Sequence, residues 1–132
     1  MVQFTHRQYR RIFLLIRVCE VTDISDELFK MTATKAVGLL RSKEVSPLDL
    51  VEASIKRIET VDPEVNSLPI HCFEQARDRA KSLDLERHAS NPKSLCGLPI
   101  AVKDYNDLGG AVTTYGSPIF ADNVAQKSDA TV

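Results

Sequence analysis

The fold is decided by the stretch Leu95-Cys96-Gly97-Leu98-Pro99-Ile100-Ala101-Val102-Lys103-Asp104. Its residues 95–102 carry no charge, and the apolar run ends abruptly at Lys103-Asp104. A short, continuous apolar run after a glycine turn is typical of a strand buried on both faces, as in the sheet of an α/β protein. The sequence therefore predicts a core strand over residues 95–102, with Lys103 where the chain leaves the core.

Lys103 has two interpretations. In open α/β sheets, ligands gather beyond the carboxyl ends of the strands, which is where a functional residue is expected. A lysine that ends a strand also commonly reaches into water and pairs with a neighbouring carboxylate, here Asp104. The pattern alone favours this structural role.

Three helices are predicted before this stretch. Apolar residues recur at helical spacing over residues 33–40, which predicts a short amphipathic helix. The sequence Ser46-Pro47-Leu48-Asp49 then places a hydroxyl at an N-cap, proline at the first helical position and a carboxylate near the positive helix end. The pattern of this second helix ends at Asp62-Pro63. A third helix is predicted over residues 72–85, followed by a polar loop over residues 88–94.

The residues after Lys103 are rich in turn formers. Asp107 is a candidate for orienting a site or for capping a turn, and the glycines that follow allow left-handed backbone near the strand end. Ser128 or Asp129 is predicted to cap a further helix. No nucleophile and base of recognised spacing occur together here, so these residues alone assign no chemistry.

Composition and charge exclude several classes of protein. The chain has 132 residues, of which 43% are hydrophobic and 27% charged, with a formal net charge of −1. These proportions rule out collagen, a disordered acidic tail and a polytopic membrane protein, and the length allows one domain at most. Since binding to phosphates needs an excess of basic residues, a nucleic acid is not the expected partner.

The cysteines indicate a reducing compartment. Cys19, Cys72 and Cys96 are odd in number and lack CxxC spacing, which predicts a cytoplasmic protein without a disulfide framework. His71 stands next to Cys72, but the other histidines show no spacing typical of metal ligands. No metal site is predicted.

Residues 1–24 are interpreted as a basic N-terminal extension. They contain an apolar run over residues 12–16 flanked by arginines, with no acidic residue before Glu20. A membrane span needs about 20 apolar residues, so this run is too short. The pattern is similar to an organelle transit segment, but an ordinary extension is favoured.

The ordered set of residues resembles the start of the amidase signature family. The matching residues are Gly97 to Asp104, Asp107, Gly110, Thr113-Thr114, Gly116-Ser117 and Ser128-Asp129-Ala130-Thr131-Val132. Residues 46–53 and 58–63 also resemble that family's N-terminal helical region. The similarity covers residues 25–132. It implies the N-terminal portion of an α/β/α fold, with helices followed by a core strand, in an incomplete domain.

The resemblance also implies a chemistry. Members hydrolyse carboxylic amides through a serine nucleophile, a second serine held by a cis peptide bond, and a lysine, whose position is occupied here by Lys103. Burial disfavours the ammonium form of a lysine, and a neutral amine can relay a proton from the nucleophile to the departing amine. Asp104, Asp107, Gly116 and Ser117 are expected to support the site. No metal or organic cofactor is implied.

The sequence departs from the family pattern in one respect. The glycine- and serine-rich tract that supplies both catalytic serines lies downstream of the matched region, and this chain does not contain it. Ser117 and Ser128 match other positions, so neither is assigned as the nucleophile. We therefore expect the chain alone to be inactive and to expose apolar surface that favours self-association.

Three functional interpretations follow. The first is a free-standing amidase that acts on a small-molecule amide, which residues 68–72 favour. The second is the amidase-like subunit of the glutamine-dependent transamidation complex that acts on charged transfer RNA. The third is a non-catalytic module, either a truncated relic or half of a split protein.

Overall fold

The computed structural model describes residues 27–129. Predictions for residues 1–24, and for any helix body after Asp129, lie outside this range. The elements are α1 (Ala33–Ser42), α2 (Pro47–Val65), α3 (Phe73–Ser82), α4 (Leu85–Ser90) and a short 3-10 helix (Pro118–Phe120). Within residues 27–129 the only β pairing is an isolated antiparallel bridge between Val112 and Val124.

Helix α1 confirms the first predicted helix. Thr32 is its N-cap and accepts a hydrogen bond from the Lys35 N–H, while Lys43 ends the helix in the left-handed conformation with φ 62°. Ala36 and Leu40 are buried, and Leu40 has no exposed surface. The apolar spacing in the sequence therefore identified the face that packs into the core.

Helix α2 begins as predicted but ends later. The Ser46 side chain accepts from the Asp49 N–H at 3.2 Å, and the Ser46 N–H donates to the Asp49 carboxylate at 2.9 Å, which completes a capping box. The predicted end at Asp62-Pro63 is wrong, because the helix continues through Pro63 to Val65. It ends where Asn66 takes a left-handed conformation and its N–H donates to the Asp62 carbonyl at 2.6 Å.

The third predicted helix is divided in two. Helix α3 ends at Ser82 because Leu83 is extended, and Asp84 then caps α4 by accepting from the Arg87 N–H at 3.1 Å. The loop predicted from residue 88 therefore begins only after Ser90. Asp84 is the sequence signal for this break, because aspartate is a common N-cap. The amphipathic pattern continues on both sides of Asp84, so the periodicity alone does not indicate the break.

The core lies between α1, α2 and the segment that follows α4. Its buried residues are Leu28, Ala36, Leu40, Leu50, Ala53 and Cys96. Arg41 ties α1 to the end of α4 and the next loop. Its guanidinium donates to the carbonyl oxygens of Ala89, Asn91, Pro92 and Ser94 at 3.0–3.1 Å. The start of the decisive stretch is thus fixed against the helices.

The structure does not confirm the core strand predicted over residues 95–102. Residues 95–98 form a tight turn in which the Leu98 N–H donates to the Leu95 carbonyl at 3.0 Å. Both central residues have positive φ, 54° at Cys96 and 85° at Gly97, as a type I′ turn requires. Residues 99–103 have no regular secondary structure, and 63% of Ile100 is exposed.

The physical reason is that a strand needs a neighbour. Strand N–H and C=O groups must pair with a second segment, and nothing in residues 27–129 pairs with this one. The regular secondary structure of the described residues is almost entirely helical, so the predicted α/β class is not confirmed either. No helix in this part of the chain is long and apolar enough to cross a membrane.

The structure predicts opposite effects for Gly→Ala substitutions at Gly97, in the turn, and at Gly38, in α1. At Gly97 a Cβ would lie 2.9 Å from Pro47 Cβ and 2.8 Å from Leu83 Cδ2, on a backbone with φ 85°. Gly97→Ala should lower the free energy of unfolding by about 1–3 kcal/mol. Gly38 lies inside α1 with nothing within 4 Å of the added Cβ. Gly38→Ala should raise that free energy by about 0.5–1 kcal/mol.

Urea unfolding of both variants and the parent chain measures these changes. Shifts of the same sign at both positions would contradict the structure, since only Gly97 is in the left-handed region and in close contact.

Candidate functional site

A large groove in the described residues runs between α2 and the segment that leads to Lys103. It encloses about 580 Å³ between α2, residues 67–73 and residues 99–113. Most of its walls are apolar, and include Val51, Ile55, Ile58, Leu68 and Val102. A large apolar groove with a few polar groups at its edge is the usual form of a ligand site, and here the polar edge includes Lys103 and Asp104.

Lys103 lies at the edge of this groove and its side chain is open to solvent. Residue 103 is exposed, and its ammonium nitrogen lies 5.8 Å from the centre of the Tyr105 ring. Among the ion pairs of residues 27–129 none includes Lys103. The described residues therefore do not provide the burial that the family resemblance implies for this amine.

Asp104 is held by Thr114 and not by Lys103. Its carboxylate accepts from the Thr114 N–H at 2.6 Å and from the Thr114 hydroxyl. These two bonds, the hydroxyl first, hold the pKa of Asp104 below its ordinary value, and the N–H groups of Gly116 and Tyr115 add to the effect against a smaller opposing effect of burial. The pairing of Lys103 with Asp104 that the pattern alone favours is therefore not observed, because Asp104 bonds Thr114 instead.

Asp107 organises the far side of the same loop. Its carboxylate accepts from the Tyr115 hydroxyl at 2.8 Å, and its backbone N–H donates to the Asp129 carboxylate at 3.0 Å. The hydrogen bond that the Tyr115 hydroxyl donates to Asp107 raises the pKa of Tyr115, and burial and the nearby carboxylates raise it further. Asp107 therefore connects two parts of the loop, through its carboxylate to Tyr115 and through its backbone N–H to Asp129.

Gly116 and Ser117 shape the turn after Thr114. Gly116 has φ 71° and its N–H donates to the Thr114 hydroxyl at 3.2 Å. Ser117 caps the 3-10 helix, where its hydroxyl accepts from the Ile119 N–H at 3.4 Å. Both residues therefore stabilise the conformation of the loop, and neither lines the groove.

Sequence reasoning missed the roles of Thr114 and Ser128. Thr114 is the partner of Asp104, and the Ser128 hydroxyl accepts from the Gly109 N–H at 2.9 Å. Both contacts join residues 10 or 19 positions apart in the chain. The only signal for them was their presence in the ordered set that resembles the family.

The opposite wall of the groove carries the His71 side chain. The His71 Nε2 atom lies 3.8 Å from the Asp62 carboxylate, and the ring stacks on Phe73 with centroids 4.6 Å apart. Asp62 also accepts from the Ser67 hydroxyl and N–H, both at 2.8 Å. Nowhere in residues 27–129 do three or more His, Cys, Asp or Glu side chains come close enough to share a metal ion.

The sequence matches known proteins over most of its length. The sequence profile of the family described as Amidase matches residues 49–132. The chain is 43% identical over 105 residues to a subunit of the glutamyl-tRNA(Gln) amidotransferase of Shouchella clausii, and 35% identical over 106 residues to the corresponding protein of Psychrobacter cryohalolentis. Each alignment covers 80% of this chain and 21% of the relative.

A relative of another kind is the acylamidase of Rhodococcus erythropolis. It is 31% identical over 96 residues, which cover 72% of this chain and 20% of the relative. The chain therefore spans about a fifth of the length of the curated relatives it matches.

The Asp62 contacts predict a pH dependence of stability. Hydrogen bonds from Ser67, with smaller contributions from Leu68 and His71, lower the pKa of Asp62 below its ordinary 3.8. A carboxyl with a lowered folded-state pKa adds stability above 3.8, and this stability is lost as pH falls through the folded-state pKa. Asp62→Asn should therefore make stability depend less steeply on pH below about 5.

Unfolding midpoints in urea, measured from pH 6 to pH 2.5, provide the test. The control is Asp78→Asn, which changes an exposed carboxylate on α3. Identical pH slopes for the Asp62 variant and this control would show that the contacts of Asp62 do not stabilise the folded chain.

Proposed function

Since the chain belongs to the amidase family, we propose that Lys103 is the proton-transferring amine of an enzyme that cleaves the C–N bond of carboxylic amides. The observation that carries this proposal is that Lys103 stands at the polar edge of the apolar groove with no ion pair in the described residues. A permanent carboxylate partner would stabilise the ammonium form of the lysine, whereas an amine that serves as a base must be able to lose its proton.

The chemistry needs a second hydroxyl and a nucleophile. A neutral Lys103 would accept the nucleophilic serine's proton through a bridging serine while the serine oxygen attacks the amide carbon, and would then return a proton to the departing amine. Ser117 and Ser128 do not serve here, because Ser117 caps the 3-10 helix and Ser128 accepts from Gly109. Both serines of the triad would come from sequence that this chain does not contain.

The same proposal also concerns the strand predicted from the sequence. In a domain of the relatives' length, residues 98–102 would pair with neighbouring strands, since their N–H and C=O groups need partners. The groove between α2 and this segment would then be covered. Burial would disfavour the ammonium form of Lys103 and make it a competent base near neutral pH.

The comparisons favour the amidotransferase branch over the free-standing amidase. Identities of 43% and 35% to the two amidotransferase subunits exceed the identity of 31% to the acylamidase. These identities outweigh the sequence of residues 68–72, which favours a free-standing amidase. Of these two branches, the favoured candidate function is therefore release of ammonia from glutamine for transfer to a charged transfer RNA. Glutaminase activity that depends on partner subunits would identify it, whereas hydrolysis of simple amides without partners would identify a free-standing amidase.

A non-catalytic module is the third candidate. The exposed apolar groove supports association with a second copy or with the remainder of an amidase domain. Gel filtration of the purified chain distinguishes this candidate, because a binding module should be monodisperse or retain one specific partner.

The chain of 132 residues is expected to have no amidase activity by itself. Because both hydroxyl groups of the triad are missing, it should neither release ammonia from glutamine or simple amides nor react with a serine-directed phosphonate probe. Mass spectrometry of the intact protein after incubation with the probe measures labelling, and an adduct on any serine would contradict the assignment.

A chimera tests Lys103 directly. Residues 49–132 would replace the aligned segment of the Rhodococcus erythropolis acylamidase, and kcat/KM for its amide substrate would be measured. Lys103→Met should reduce kcat/KM by about 10²–10⁴-fold, the usual contribution of a general base. The control Lys93→Met, on an exposed loop outside the groove, should leave it unchanged. A folded chimera that keeps its activity after Lys103→Met would refute the proposed role.

A further inference from the structure

We propose that Thr114 holds the Asp104 carboxylate away from Lys103, and that this Asp104–Thr114 latch keeps the neighbouring amine free for proton transfer. Thr114 and Asp104 are then positioning residues. A catalytic role for the latch rests on the proposed function of Lys103. The existence of the latch and the effect of the latch on the Lys103 amine do not depend on that function.

The latch uses both oxygens of the carboxylate. Asp104 Oδ1 accepts from the Thr114 N–H at 2.6 Å, and Oδ2 accepts from the Thr114 hydroxyl. The bonds connect residues ten positions apart and close the loop over residues 104–114. A carboxylate held at two atoms by one residue has a fixed direction. Within residues 27–129, the Lys103 side chain next to it has only the Tyr105 ring as a partner.

The backbone after Thr114 is shaped to support this arrangement. Tyr115 has φ 52° and Gly116 has φ 71°, so two successive residues are left-handed. The Thr114 N–H donates to the Asp104 carboxylate at 2.6 Å, and the Gly116 N–H donates to the Thr114 hydroxyl at 3.2 Å. The Thr114 hydroxyl, and then the N–H groups of Thr114, Gly116 and Tyr115, lower the pKa of Asp104. The loop therefore supplies neutral donors where a lysine would otherwise be the obvious partner.

Energetics favour the latch over a lysine pair. Hydrogen bonds to an ionised carboxylate are shorter and stronger than neutral ones, while an exposed Lys–Asp pair gains little because water screens it. The remaining polar groups near Lys103 do not replace Asp104. The titratable groups on the groove walls are His71, Cys72 and Asp104, and Asp62 lies behind His71. Tyr105 presents its ring to the ammonium.

The latch also fixes the start of the turn that carries Lys103. The Lys103 carbonyl accepts from the N–H groups of Tyr105 and Asn106 at 2.7 and 2.9 Å, so the chain reverses just after the lysine. With Asp104 pinned to residue 114, this turn cannot rotate without breaking the latch. The direction in which Lys103 leaves the backbone is therefore set by contacts of its neighbour.

The test is titration of Lys103 in the chain of 132 residues, followed by NMR at its ε-carbon. Thr114→Val removes the hydroxyl and frees one carboxylate oxygen, so the titration midpoint of Lys103 should rise by roughly 0.3–1 pH unit as Asp104 turns toward the amine. Thr114→Ser keeps the hydroxyl and should keep the parent midpoint. Thr60→Val, on the exposed face of α2, is the matched control and should change nothing.

A second variant keeps the proposal falsifiable if Thr114→Val does not fold. Asp104→Asn removes a charge next to Lys103 but no ion pair, so it should lower the Lys103 midpoint by less than about 0.3 pH unit, because water and salt screen a charge that makes no direct contact. A larger fall in this variant would show that the two residues pair after all, and would overturn the proposal. An unchanged midpoint in a folded Thr114→Val variant would overturn it as well.

The double variant Thr114→Val/Asp104→Asn completes the cycle. Its midpoint should equal that of Asp104→Asn, since no carboxylate remains to reach Lys103. A rise that persists in the double variant would assign the effect to the altered loop and overturn the proposal. None of these measurements needs turnover, so failure of the latch is distinguishable from failure of the proposed amidase function, which the chimera tests.

Discussion

The tight turn over residues 95–98 is the constraint on which the placement of Lys103 depends. Its Cys96 side chain is buried in the same core as Leu40, and Gly97 lies so close to Pro47 that no side chain fits there. Because this end of the segment is anchored, residues 99–103 run along one wall of the groove and deliver Lys103 to its edge. Core packing of the helices and the position of the candidate functional amine are therefore coupled through one turn.

The helices could be predicted where local signals define them. Apolar spacing identified α1, and the Ser46 hydroxyl with Pro47 and Asp49 identified the start of α2, since caps act within four residues. The end of α2 depends on a left-handed Asn66, and the break before α4 on a cap at Asp84, both within patterns that continue on either side. Periodicity alone does not reveal such interruptions.

The strand predicted over residues 95–102 is not confirmed, and the reason is physical. Its apolar composition suits a buried strand, but composition specifies burial without specifying the partner that accepts the backbone hydrogen bonds. With no pairing segment in residues 27–129, the same residues form a turn and an irregular segment with Ile100 exposed. Lys103 was identified through the ordered resemblance, whereas its relation to Asp104 was not, because the Thr114 contact spans ten residues.

The most direct test of the central claim is a crystal structure of the chimeric acylamidase with a phosphonate bound to its serine nucleophile. The account predicts that residues 98–102 form a paired strand and that the Lys103 Nζ atom lies within about 2.6–3.2 Å of a serine hydroxyl. A structure in which residues 98–102 stay unpaired and the Lys103 amine remains in solvent over the Tyr105 ring would contradict it.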